Sequence, residues 1–171
     1  MNRYCLFCET GKEIAVEDEL KRHNLQVVES HKERLVWGTD GGKTKAARRF
    51  IPLIPGYIFI ASDIEADAQF WKDITELPGV YYPLKYGDGT HALRGNDLKF
   101  VIWLENQSGL IRPVKAFKKG NRVIIIEGPL KEMGGTVLEI NPKRKCAKIQ
   151  LHGEGIQLSL WLQYELIDQI E

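Results

Sequence analysis

The 171-residue chain is poor in the residues that do chemistry, with three cysteines, four histidines and two methionines. Three cysteines are too few for a disulfide framework. Cys5 and Cys8 form a C-x-x-C, but they stand in the apolar run Tyr4-Cys5-Leu6-Phe7-Cys8, which reads as a strand. Residues three apart on a strand point to opposite faces, so the pair has no common metal. A zinc site also needs four ligands, and neither Cys146 nor His23 and His31 supplies a second pair. Buried small hydrophobes are the expectation. The histidines lack metal spacing, no serine sits in a G-x-S-x-G elbow, and Gly87-Asp88-Gly89 is not followed by G-K-[ST]. With those constellations missing, no catalysis, metal or cofactor is expected. No apolar run approaches the roughly 20 residues of a membrane helix. Met1-Asn2-Arg3 passes straight into the first strand-like run, without the pattern of a signal peptide. The expectation is a cytoplasmic protein without membrane contact.

Net charge is also nearly absent, at +1, but it is unevenly spread. Residues 1–111 hold 14 Lys and Arg against 16 Asp and Glu, a net of −2. Residues 112–148 hold 10 against 3, a net of +7, and residues 149–171 hold none against 4. A basic stretch followed by an acidic tail makes the whole-chain balance uninformative and marks one local region for anions.

The order of elements reads strand, helix, strands, helix, strand, helix, then all strands. Thr10-Gly11-Lys12-Glu13 fits a capping box ahead of a helix running to about His23. Leu25–Val28 and Leu35–Trp37 read as strands, residues 39–45 as a polar loop, and Tyr57–Ile60 as a strand after Pro52 and Pro55. A second helix spans about Ala66–Glu76, stopped by Pro78-Gly79, and Val80–Leu84 is a short strand. Asn96 can cap a third helix from Asp97 to about Asn106. Trp71 and Trp103 fit the cores beneath these helices. That order predicts an α+β unit, an antiparallel sheet with helices in a split βαβ arrangement, over residues 1–107. Residues 108–117 lack periodicity and are expected to link it to residues 118–171, whose closely spaced short strands predict a small β-barrel.

Two stretches carry a family resemblance. Gly120–Val137 (GNRVIIIEGPLKEMGGTV) resembles a KOW motif, a β-hairpin on a glycine framework. Pro55-Gly56-Tyr57-Ile58-Phe59-Ile60 resembles the central strand of the NusG N-terminal (NGN) domain. The opening Tyr4–Leu20 and Pro78-Gly79-Val80 match the same domain in order and spacing. Together they resemble the NusG/Spt5 family of transcription elongation factors, which implies an NGN domain followed by an SH3-like KOW barrel. By position, the resemblance implies that Phe7, Ile54, Pro55, Tyr57 and Phe59 meet the clamp helices of the largest RNA polymerase subunit. Tyr57 and Ile54 are expected as exposed anchors, and the chain as a monomer.

The late strands depart from the family pattern. Where NusG barrels carry Phe-Gly-Arg and Thr-Pro, used to meet ribosomal protein S10 and Rho, this chain has His152-Gly153-Glu154-Gly155-Ile156-Gln157-Leu158-Ser159-Leu160. Its texture resembles specialised antiterminators of the LoaP type, whose KOW domain recognises a hairpin in nascent RNA. A housekeeping factor coupling polymerase to Rho and S10 is the alternative. The charge cluster Lys118, Lys119, Arg122, Lys131, Lys143, Arg144, Lys145 and Lys148 agrees with RNA as the partner, with non-template DNA as a further contact. One relative refolds its barrel into helices. Here Ile156, Leu158, Leu160 and Leu162 alternate at period two, which predicts strand.

Overall fold

A computed structural model describes residues 1–40, 43–64, 66–119, 122–127 and 136–167; side chains at 34–37, 39–40, 43–46 and 122 are outside that description. The first sheet holds β1 (Asn2–Cys8), β2 (Gln26–Val28), β5 (Tyr57–Ser62) and β6 (Val80–Pro83) in the order β2-β5-β1-β6, every neighbour antiparallel. Helix α1 (Glu13–Arg22) joins β1 to β2, and α2 (Ala68–Thr75) joins β5 to β6. In each case one strand lies between the joined pair, so both units are split βαβ crossovers, as the sequence predicts.

Alternation on the strands makes two cores. Tyr4, Leu6, Cys8, Ile58 and Ile60 point toward α1 and α2. Cys5, Phe59 and Ala61 point the other way, toward α3 (Gly95–Asn106) with Phe100, Val101, Trp103 and Leu104. The C-x-x-C is thus divided between the two cores. Burial raises both thiols, Cys8 to about 12.

Between β2 and β5 a long hairpin projects, β3 (Ser30–Asp40) against β4 (Lys43–Pro52). The polar loop expected over residues 39–45 is therefore shorter, with strand pairing continuing to Asp40↔Lys43. The short β7 (Gly109–Leu110) pairs parallel to the root of β3. A third group, β8 (Val114–Lys119), β9 (Arg122–Ile125), β10 (Thr136–Asn141), β11 (Cys146–His152) and β12 (Gln157–Leu166), forms a sheet in the order β10-β11-β12-β8-β9. Most of the expected linker thus belongs to strands, leaving residues 111–113 between β7 and β8. The predicted alternation holds: Leu158, Leu160 and Leu162 are buried on β12, just beyond the buried Ile156. The KOW stretch is bracketed by β9 and β10, and its residues 120–121 and 128–135, Lys131 among them, lie outside the described residues.

Two helix starts differ from expectation. Lys12, not Thr10, occupies the α1 N-cap without a side-chain bond. Glu13 does reach back, but to the Gly11 N–H at 2.8 Å, while its other oxygen accepts from the Gly56 N–H at 2.7 Å. Tertiary packing thus recruits the carboxylate to pin two turns. Arg94, not Asn96, is the α3 N-cap, and Asn96 instead donates to the His152 carbonyl at 3.1 Å.

Candidate polymerase and RNA surfaces

The register sets Phe7 opposite Tyr57 on β5 and opposite Tyr82 on β6. Three aromatics therefore stand side by side on one face of three adjacent strands, with centroids 5.0 Å apart in both pairs. Directly opposed cross-strand side chains share a face and touch. Tyr82 is 58% exposed, Phe7 and Tyr57 are half-buried, and burial raises the Tyr57 phenol above its ordinary range. The turn entering β5 is set by Gly56 at φ +83°, a conformation glycine adopts without strain. Its carbonyl accepts from Cys8 N–H at 3.0 Å. Pro55 is exposed beside it.

Ile54 and Phe59 differ from the surface role implied for them. Ile54 is 5% exposed, against the expected open anchor, and Phe59 is 0% exposed. Phe59 makes an edge contact with Phe100 at 5.9 Å, so α3 covers it. Both lie beneath the aromatic row in the α3-side core. Tyr82 was not anticipated; only the Phe7↔Tyr82 register identifies it.

The basic residues gather at the end where β12 finishes. Lys143, Arg144 and Lys145 are exposed on the turn joining β10 to β11. The Arg144 N–H donates to Asn141 Oδ1 at 3.1 Å, and Lys145 adopts φ +48°. Lys118 and Lys119 are exposed at the end of β8, which runs parallel to β12, so strand direction carries them toward the same end. Lys148 is half-buried on β11. Among the described residues none of these six side chains makes an ion pair. Arg122 pairs with Lys119 in the backbone register, its side chain being undescribed.

The opposite end of the barrel is docked. Asp97, 1% exposed, accepts from Tyr86 O–H at 2.8 Å, Gly155 N–H at 2.8 Å and Ile156 N–H at 3.1 Å. Beside it the Arg94 guanidinium bridges Asp88 and Glu154 and lies 4.3 Å from the Tyr86 ring centroid. Hydrogen bonding to Arg94 holds the Asp88 and Glu154 carboxyls below their usual range. A Cβ on Gly153 would lie 1.7 Å from Asp97 Oδ1, and one on Gly155 would lie 2.8 Å from Leu84 Cδ2. The departure from Phe-Gly-Arg thus occupies an internal joint, with glycines where a side chain would collide with Asp97 and Leu84.

A family model described as "Transcription termination factor nusG" matches residues 1–100. The chain belongs to the NusG family. It is 29% identical over 141 residues to the transcription termination/antitermination protein NusG of Thermus thermophilus, covering 79% of this chain and 76% of that one. Against the NusG of Helicobacter pylori it is 24% identical, with 99% of each chain covered. A solved structure of Thermotoga maritima NusG, described as showing domain interaction in that protein, aligns with a TM-score of 0.53 at 19% identity, covering 95% of this chain and 93% of that one. That structural likeness supports the α+β fold with NGN-like and KOW-like parts. The family consists of transcription termination/antitermination factors, and no described helix is long and apolar enough to cross a membrane.

Proposed function

We propose that this NusG-family chain is a specialised antitermination factor of the LoaP type, binding RNA polymerase through its aromatic row and nascent RNA through its basic barrel end. The observation that carries the reading is the division of the barrel into two ends. The segment standing where family barrels meet Rho and S10 is engaged with α3 through Asp97 and Arg94. The opposite end presents Lys118, Lys119, Lys143, Arg144 and Lys145 to solvent.

Phe7, Tyr57, Tyr82 and Pro55 form the surface offered to the polymerase clamp helices, since exposed and half-buried aromatic side chains are favoured interface anchors. Ile54 and Phe59 hold that surface from beneath. A factor bound across the clamp acts by restraining its opening, with no bond made or broken.

The basic end meets the phosphates of an RNA hairpin by charge, and unpaired bases supply sequence choice. The test is fluorescence anisotropy of the full chain against structured leader RNA across a salt series, beside S10. Hairpin preference is expected, with a log–log salt slope made shallower by about 2 when Lys143, Arg144 and Lys145 become Ala. S10 binding without RNA preference would return the chain to the housekeeping class.

A further inference from the structure

Between the barrel and the NGN-like unit lies a cleft of about 550 Å³, walled by Ile51 of β4, residues Leu110–Pro113 and the outer face of β11 and β12. That volume is in the range of small-molecule sites. Three segments far apart in sequence build it.

Its floor is aromatic. On β12 Leu160 and Leu162 turn inward, so Trp161 between them turns outward and is half-buried. Lys148 stands directly opposite Trp161 on β11, sharing its face. Arg112 reaches the cleft from the connecting segment and Arg144 from the basic turn.

The charges are unbalanced. Glu33 also lines the cleft, but it is already engaged by Arg48 at 3.5 Å. Arg112 and Arg144, both exposed, make no ion pair among the described residues. Glu139 of β10 stands directly opposite Lys148 on that same face, so it offsets Lys148, which separates it from Trp161. A flat apolar ring with two uncommitted guanidinium groups around it suits a planar base carrying phosphates. Bases stack on indole and guanidinium planes, and phosphates take the remaining donors.

We infer that this cleft holds one unpaired RNA nucleotide, its base stacked on Trp161 and its flanking phosphates met by Arg112 and Arg144. The inference rests on the nascent-RNA reading and extends the RNA path from the barrel's basic turn onto the connecting segment. The occupant is single-stranded because a base within a duplex has both faces stacked on its neighbours.

The test uses the full chain and two fluorescent probes, a single-stranded RNA 12-mer and a hairpin with an unpaired loop. Trp161→Ala and Arg112→Ala are each expected to weaken the single-stranded probe about fivefold or more, with Trp161→Phe retaining most of the affinity. With 4-thiouridine in the probe, irradiation is expected to crosslink the peptide containing Trp161. Unchanged affinity in both Ala variants, with wild-type RNA binding intact, overturns the cleft and leaves the hairpin reading standing. Hairpin binding without single-strand binding does the same. Polyglutamate competing as well as RNA of equal charge also overturns it, because charge alone would then suffice. Absence of binding to either RNA removes both readings.

Discussion

Asp97 is the side chain on which the joint between barrel and α3 depends, and two substitutions separate its charge from its shape. Its two oxygens receive three donors in a site closed to water. Asn keeps the volume but has only one acceptor oxygen. Tyr86 can adapt by rotating its hydroxyl to accept from the new amide, whereas the Gly155 and Ile156 N–H groups can only donate. Whichever way the amide turns, one backbone N–H faces an NH2 group. A buried unsatisfied donor costs about 1–3 kcal/mol. Asp97→Ala removes all acceptors and adds a void, for about 3–6 kcal/mol, beyond which opening of the joint limits the loss. At ~2–4 °C per kcal/mol for a chain of this size, Asp97→Asn is expected to lower Tm by about 2–12 °C. Asp97→Ala is expected to detach the barrel and increase the radius of gyration in small-angle scattering. Calorimetry with amide NMR measures both. Wild-type Tm in Asp97→Asn, together with unmoved Gly155 and Ile156 amide shifts, would refute the reasoning.

Gly153→Ala attacks the same joint sterically, since its Cβ would sit 1.7 Å from Asp97 Oδ1 and 2.7 Å from the Ile156 carbonyl oxygen. Faster proteolysis at residues 111–113 is expected, and unchanged digestion would argue against so tight a fit. Glu13→Gln leaves one of two backbone donors, Gly11 or Gly56, without an acceptor. A loss of about 1–3 kcal/mol at constant m-value in urea denaturation is expected. His31 carries a pH dependence: its contact with Glu17, 3.2 Å from ring to carboxylate, raises its pKa above the ordinary value. A raised folded pKa stabilises fully below the unfolded value and loses that contribution as pH rises through the folded one. The stability advantage of wild type over His31→Gln should therefore shrink as pH rises above the ordinary histidine value of about 6.5; an advantage growing with pH would contradict the sign.

Local patterns decided a good part of this architecture. Leu158, Leu160 and Leu162 alternate with polar or bulky neighbours, and a strand's two-residue period leaves them one buried face. The same period divides Cys5 from Cys8 and allots Tyr4 and Leu6 to opposite cores from Cys5 and Phe59. The order of strands and helices was enough for the split βαβ unit, because a helix joining parallel strands leaves few sheet orders open. Tertiary structure decided the rest. Thr10 and Asn96 satisfy local capping rules, yet Glu13 accepts from the buried Gly56 N–H 43 residues away, a donor costly to leave unpaired, and Asn96 donates to the His152 carbonyl 56 residues away. Ile54 and Phe59 carry no mark of burial apart from Tyr57; α3 covers one face and leaves the strand end open. Asp97, an ordinary first-turn acid in sequence, becomes a buried acceptor only when a glycine turn 58 residues away is brought against it. Trp161 likewise gains its cationic surroundings from chain segments that meet only in the folded molecule. Periodicity encodes which way a side chain points, but what it meets there depends on contacts too distant in sequence for any local pattern to carry.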